Sequence, residues 1–162
     1  MAVVIDQALL NSYEGKNISA ICAQKYNDNG LNHCAHFVSH VLTLNFDYTC
    51  DKQVKGASNG ANIRVQEVYA KCSACYPSKP KTFTCGLIFA TTATAKPSAK
   101  YMPNIKNKHV GIYINGLVTH YSNTKDYVVV VSEAEFKSHY GAKTNVYYAD
   151  FPETAVATRL AG

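Results

Sequence analysis

A chain of 162 residues, 47% hydrophobic and 17% charged, is long and apolar enough to bury one sizeable core, which excludes intrinsic disorder. No run approaches the ~18 consecutive apolar residues of a membrane span, so no such span is expected. The formal charge of +5 suits an anionic partner, but arginine occurs only at Arg64 and Arg159 and the lysines are scattered, so nucleic acid is not the expected partner.

The opening Met-Ala-Val-Val-Ile-Asp lacks the basic flank and long apolar core of a signal peptide. The expectation is therefore retention in the cytosol, a leader already removed, or export by a leaderless route. Residues 3–13 are predicted as a helix, with Val4 and Ala8 on one face, and Ile18 to Tyr26 as a second. Asn27-Asp28-Asn29-Gly30 is a turn signal that delivers the chain to Asn32-His33-Cys34-Ala35-His36-Phe37-Val38. There Asn32 is a good N-cap, and Phe37, Val38, Val41 and Leu42 recur at helical spacing.

A cysteine in the first turn of a helix feels the positive end of the dipole, which favours thiolate and makes Cys34 a candidate nucleophile. Two other readings compete. Cysteine is also a small, often buried hydrophobe. His36 and His40, four apart on one helix face, could ligate zinc, but no acidic residue lies between them and the spacing also arises by chance. No metal or cofactor is expected.

Tyr48 to Asn59 reads as a loop and Ala61 to Lys71 as a helix. Cys72 and Cys75 form a C-x-x-C pair flanked by the single Cys50 and Cys85. A zinc knuckle needs a second close pair, so these four are read as capable of disulfides in an oxidising compartment. From residue 82 the chain becomes rich in strand formers, first in Thr82–Ala90. A polar loop with Pro97 and Pro103 follows. His109–Ile114 and Leu117–Tyr121 then flank Asn115-Gly116, the strongest short hairpin signal. Tyr127–Val131 is a further strand. Ser132-Glu133-Ala134-Glu135 opens a helix that Gly141 can close, Asn145–Phe151 is the last strand, and the tail from about 152 is expected to be loosely held. The fold class is thus α+β: helices first, then an antiparallel sheet of about five strands, in one domain over 1–162.

A thiol nucleophile needs a base, and the base needs an orienting group. His33 and His36 are too close to Cys34 along the helix to meet it. His109, at the start of a strand, is the candidate base. Counting across an Asn-Gly turn sets His120 opposite Gly111, one diagonal step of ~7–8 Å from His109, on the same face. His120 is therefore the candidate orienter.

Asn-His-Cys-Ala-His-Phe-Val resembles the Asp-Cys-Ser-Gly-Phe-Val block of the NlpC/P60 cell-wall peptidases. Cys85-Gly-Leu-Ile-Phe resembles their Gly-Asp-Leu-Val-Phe strand, and His109-Val-Gly-Ile-Tyr-Ile resembles the strand bearing their catalytic histidine. Val118-Thr119-His120 resembles the next strand, which carries the third polar residue. The similarity covers roughly residues 20–122. His33 stands where the family has an acid, His36 where it has a small residue, and the aspartate of the Gly-Asp-Leu strand is missing. The cysteine block is also similar to that of the permuted lecithin:retinol acyltransferase relatives, but Cys34 precedes His109, as in the unpermuted peptidases and the CHAP amidases.

The resemblance implies a papain-like fold and a cysteine endopeptidase or amidase acting on peptidoglycan stem peptides, often between D-glutamate and the diamino acid. Cys34, His109 and His120 would be catalytic. The Cys34 backbone amide would be an oxyanion donor, with Tyr26 a looser match to the family's upstream tyrosine. A monomer is expected. A small, basic, leaderless domain without wall-binding repeats fits a toxin effector delivered to the periplasm or cell wall, with an immunity protein as partner. An acyltransferase or deamidase of the same fold, or a non-catalytic cysteine-rich module, are the alternatives.

Overall fold

A computed structural model describes residues 1–24, 32–46, 50, 63–92, 97–98 and 100–157. Among these the protein is a mixed α+β structure built on a six-stranded antiparallel sheet. The expected turn at Asn27–Gly30, most of the expected loop at 48–59, and Tyr26 lie outside the described residues.

Residues 3–13 are not one helix. Val3–Ile5 form strand β1, and helix α1 covers Gln7–Asn11 with Asp6 as its N-cap, accepting from the Leu9 amide. Residues 152–157 of the expected loose tail are instead held in place. Ala155–Ala157 form strand β8, which pairs in parallel with β1, and Thr154 donates its hydroxyl to the Leu42 carbonyl. Three β-branched residues in five, Val3, Val4 and Ile5, favour a strand once a partner edge is supplied. Helix α2 is the short Ile18–Ile21, capped by Asn17.

Helix α3 (Cys34–Val41) is buried on nearly every side, and α4 (Val65–Lys71) packs against it. A short strand β2 (Cys75–Tyr76), which the sequence pattern did not announce, adds the sixth strand at the edge of the sheet. Then come β3 (Cys85–Thr91), β4 (Lys108–Ile114), β5 (Leu117–Ser122), β6 (Tyr127–Ser132), helix α5 (Glu133–Lys137) and β7 (Asn145–Ala149). The sheet order is β2-β7-β3-β4-β5-β6, every pair antiparallel.

Alternation along the strands sends residues to two covered faces. Leu87, Phe89, Val110, Ile112 and Tyr121 join Cys34, Phe37 and Val38 of α3 in the main core. Ile88, Ala90, Tyr113, Val118 and Tyr148 face the other way and are closed over by Phe136 of α5. Ser132 caps α5 by accepting the Glu135 amide. Gly141, however, opens a short 3-10 turn at Gly141–Lys143 rather than ending α5.

The hairpin has the register that its turn residues dictate. Asn115 and Gly116 both take positive φ (48° and 89°), and Ile114, Tyr113 and Ile112 pair with Leu117, Val118 and Thr119. The β4–β5 ladder stops there, so Lys108–Gly111 is free of β5 on that edge.

Candidate active site

Cys34 begins α3, and the Asn32 side chain accepts its backbone N–H at 2.9 Å. The N-cap position itself is held by His33, which makes no side-chain cap bond, so the expected N-cap Asn32 stands one residue further out. An oxyanion bound at the Cys34 amide would have to displace the Asn32 bond. The thiol is 1% exposed and packs in the main core. Burial pushes its pKa up to about 12, although the amides of Val110, Ala35 and Cys34 and the Asn32 side chain all address the sulfur and favour thiolate. The expectation of a thiolate set by the helix dipole is therefore corrected. A dipole contributes ~0.3–1 kcal/mol, while burying an ionised group costs several.

Beyond the paired part of the hairpin, His109 and His120 meet on the face opposite α3. Nε2 of His109 and Nδ1 of His120 are 2.7 Å apart, and the rings are perpendicular. Gly111 lies between them, and a Cβ there would come within 3.2 Å of the His120 Cβ. His139, which belongs to no motif of the chain, stacks on His109 with centroids 4.2 Å apart and planes 8° from parallel. It lies just after α5, where no periodicity points at the site, so only the tertiary fold shows it.

Burial, then the neighbouring imidazoles, holds His109 well below the ordinary histidine pKa and His120 at about 4. The pair is uncharged at neutral pH. Nδ1 of His109 is buried with no hydrogen-bond partner. The Cys34 sulfur packs with Val110 on the α3 face of β4, whereas His109, the residue before it, points to the other face, so the structure does not bring thiol and ring together. No hydrogen bond joins thiol and ring.

Over Cys34 lies a cavity of about 260 Å³ whose lining includes Asn32, Arg64, Asn104, Lys106 and Lys108. Its charged side chains are all cationic. Lys108 is 8% exposed and directs its ammonium at the Asn104 side chain. The basic charge of the whole chain thus has a local expression beside the candidate nucleophile.

The cysteines do not pair as expected. No disulfide links Cys72, Cys75 or Cys85. Cys72 and Cys75 are hydrogen-bonded to each other as thiols, which raises the first pKa and lowers the second to about 7. Cys85 receives the Thr84 hydroxyl. Cys50 sits 3.4 Å from Cys22, sulfur to sulfur, well beyond the ~2.05 Å of a disulfide. The fold carries Cys50 to α3, away from the C-x-x-C pair. Cys22, Cys50, His36 and His40 are the one group among the described residues with the geometry to hold a metal ion.

In comparisons with known proteins, no family model matches the chain, no curated protein matches it and no solved structure matches it.

Proposed function

We propose that this protein is a cysteine hydrolase of the papain-like, NlpC/P60 type that cleaves amide bonds in peptidoglycan stem peptides. The observation that carries the reading is the His109–His120 pair, joined at 2.7 Å with the other nitrogen of His109 left unpartnered. If Nε2 of His109 donates to Nδ1 of His120, the lone pair of His109 Nδ1 is the only basic position left on that ring. It lies on β4 next to Val110, whose side chain packs with Cys34 on the other face of the strand.

Thiol and imidazole are both neutral in this state, so proton transfer accompanies attack instead of preceding it. Because β4 lies between the Cys34 sulfur and the His109 ring, the reaction requires the Lys108–Gly111 end of β4, which β5 does not pair, to turn His109 toward the α3 face; the Cys34 proton then moves to His109 Nδ1 as sulfur bonds to the carbonyl carbon. The same nitrogen then returns the proton to the leaving amine as the C–N bond breaks. Water, deprotonated by His109, releases the acid from the thioacyl-enzyme. His120 positions the ring throughout. Arg64, Lys106 and Lys108 around the cavity suit a substrate with a free carboxylate near the scissile amide, as in stem peptides.

One observation favours a different reading: a thiol 1% exposed is also what a structural cysteine in a non-catalytic module would show. Digestion of purified peptidoglycan, with fragments read by mass, separates the two. Wild type should release fragments with new amine and carboxyl ends, and Cys34→Ala should release none while keeping its melting temperature. No release by wild type, or equal release by Cys34→Ala, overturns the proposal.

A further inference from the structure

On the flank of α3, His36 and His40 bring their Nε2 atoms within 3.0 Å of each other. Cys22, the C-cap of α2, and Cys50, from the segment between α3 and α4, bring their sulfurs to 3.4 Å. The Cys50 sulfur is 3.8 Å from Nε2 of His40. All four ligand atoms lie within 4.8 Å of one another. We infer that Cys22, His36, His40 and Cys50 form a four-coordinate zinc site.

The distances fit the edges of a tetrahedron. With Zn–N of ~2.0–2.1 Å and Zn–S of ~2.3 Å, edges run from ~3.3 Å between nitrogens to ~3.8 Å between sulfurs. The edges of 3.0 Å between the nitrogens, 3.4 Å between the sulfurs and 3.8 Å between Cys50 and His40 each lie within about 0.4 Å of these values.

The chemistry fits as well. Two thiolates and two imidazoles are a borderline-soft set that selects zinc, and two thiolates neutralise Zn²⁺, so the loaded site carries no net charge into a buried region. Cys22 is 1% exposed and His36 is fully buried. Binding sends the two thiol protons to solvent. An outer partner is in place too. Nδ1 of His36 lies 3.2 Å from Nδ1 of His33, so a proton on His36 Nδ1 is held there and the Nε2 lone pair faces the centre. With four protein ligands and no open position, the ion is structural and takes no part in catalysis.

A Cys22–Cys50 disulfide is the rival account of the two sulfurs, but it leaves two imidazole nitrogens converging on each other without a reason. The full-length protein, purified without chelator, should contain one zinc per chain by elemental mass spectrometry. Cobalt(II) exchanged into it should give the visible bands of tetrahedral coordination and a thiolate-to-cobalt charge-transfer band. Cys50→Ser should lose stoichiometric zinc and the charge-transfer intensity of one thiolate, while Cys75→Ser keeps both. If Cys50→Ser does not fold, the wild-type cobalt spectrum alone decides. No thiolate–cobalt band in wild type, zinc retained by Cys50→Ser but lost by Cys75→Ser, or a Cys22–Cys50 disulfide in the intact mass would each overturn the site.

Discussion

Replacing Gly111 by alanine tests the close approach of β4 and β5 on which the histidine pair depends. The new methyl would sit 2.5 Å from Cγ1 of Val118, 3.2 Å from Cβ of His120 and 3.3 Å from Cε2 of Phe136. Carbon atoms rest at about 3.5–4.0 Å, so Val118 has to retreat by roughly 1 Å or more. It has nowhere to go. Val118 is fully buried among Ile88, Tyr113, Phe136 and Tyr148, and a β-branched side chain has few rotamers to try. Overpacking of this kind costs about 1–3 kcal/mol, and the crowding here places the expectation near ~2–3.

Relief by spreading the strands moves His120 away from His109, so the 2.7 Å bond should weaken together with stability. Urea denaturation should show a lower midpoint at unchanged slope. Nitrogen-15 spectra of the histidine rings should show that His109 and His120 no longer hold one tautomer each. Gly111→Ala combined with Val118→Ala removes the worst contact, so the double variant should be more stable than the sum of the singles by ~1 kcal/mol or more. Gly111→Ala within about 0.5 kcal/mol of wild type, with the ring signals unchanged, would refute the close approach.

Two further expectations follow from the same geometry. His120→Asn should keep more hydrolysis than His120→Ala, and every His109 variant should lose it. Equal, full activity in His120→Ala would remove His120 from the site. For Glu133, burial pushes the carboxyl up, but hydrogen bonds from Lys79, Tyr148 and Lys137 outweigh it and hold the pKa down at about 2. A depressed folded-state pKa stabilises above the ordinary carboxylate range and is lost as pH falls toward 2. Lys79 and Lys137 are 36% and 47% exposed, so screening reduces the effect to about 1–2 kcal/mol. Glu133→Gln should therefore be less stable than wild type at pH 7, with the gap closing between about pH 4.5 and 2. A gap that does not change with pH would contradict this.

Part of this molecule could be read from local rules. Asn115-Gly116 dictates a turn with both residues at positive φ, the turn dictates the register, and period-two alternation then brings His109 and His120 to one face. The α3 helix was legible from Phe37, Val38, Val41 and Leu42. What was not legible is non-local. Strand β1 needs β8, some 150 residues away, and without that partner Val3–Ile5 merges into the apolar pattern of α1. The Cys22–Cys50 approach leaves no motif, because neither cysteine has a close neighbour in sequence and the one close pair in the chain is Cys72 and Cys75. Helix position alone also misjudged the Cys34 thiol, because depth of burial is a property of the whole fold.

Helix α3 shows how these levels meet. At eight residues it is too short to be stable alone, and with Cys34 to Ser39 all buried it has no solvent face to fix its rotation. Apolar packing of Phe37, Val38 and Val41 tolerates small rotations about the axis, since dispersion contacts are numerous and undirected. The directed contacts lie elsewhere on the helix: His33 and His36 at 3.2 Å, His36 and His40 at 3.0 Å, and the two sulfurs beside them. Successive residues turn by about 100°, so His36 and His40 share one flank while Cys34 points about 120–160° away. Fixing the histidine flank therefore fixes where the Cys34 sulfur meets β4. A loss at Cys22 or Cys50 should be felt at the opposite side of the helix, as a change in the reactivity of a thiol that neither residue touches.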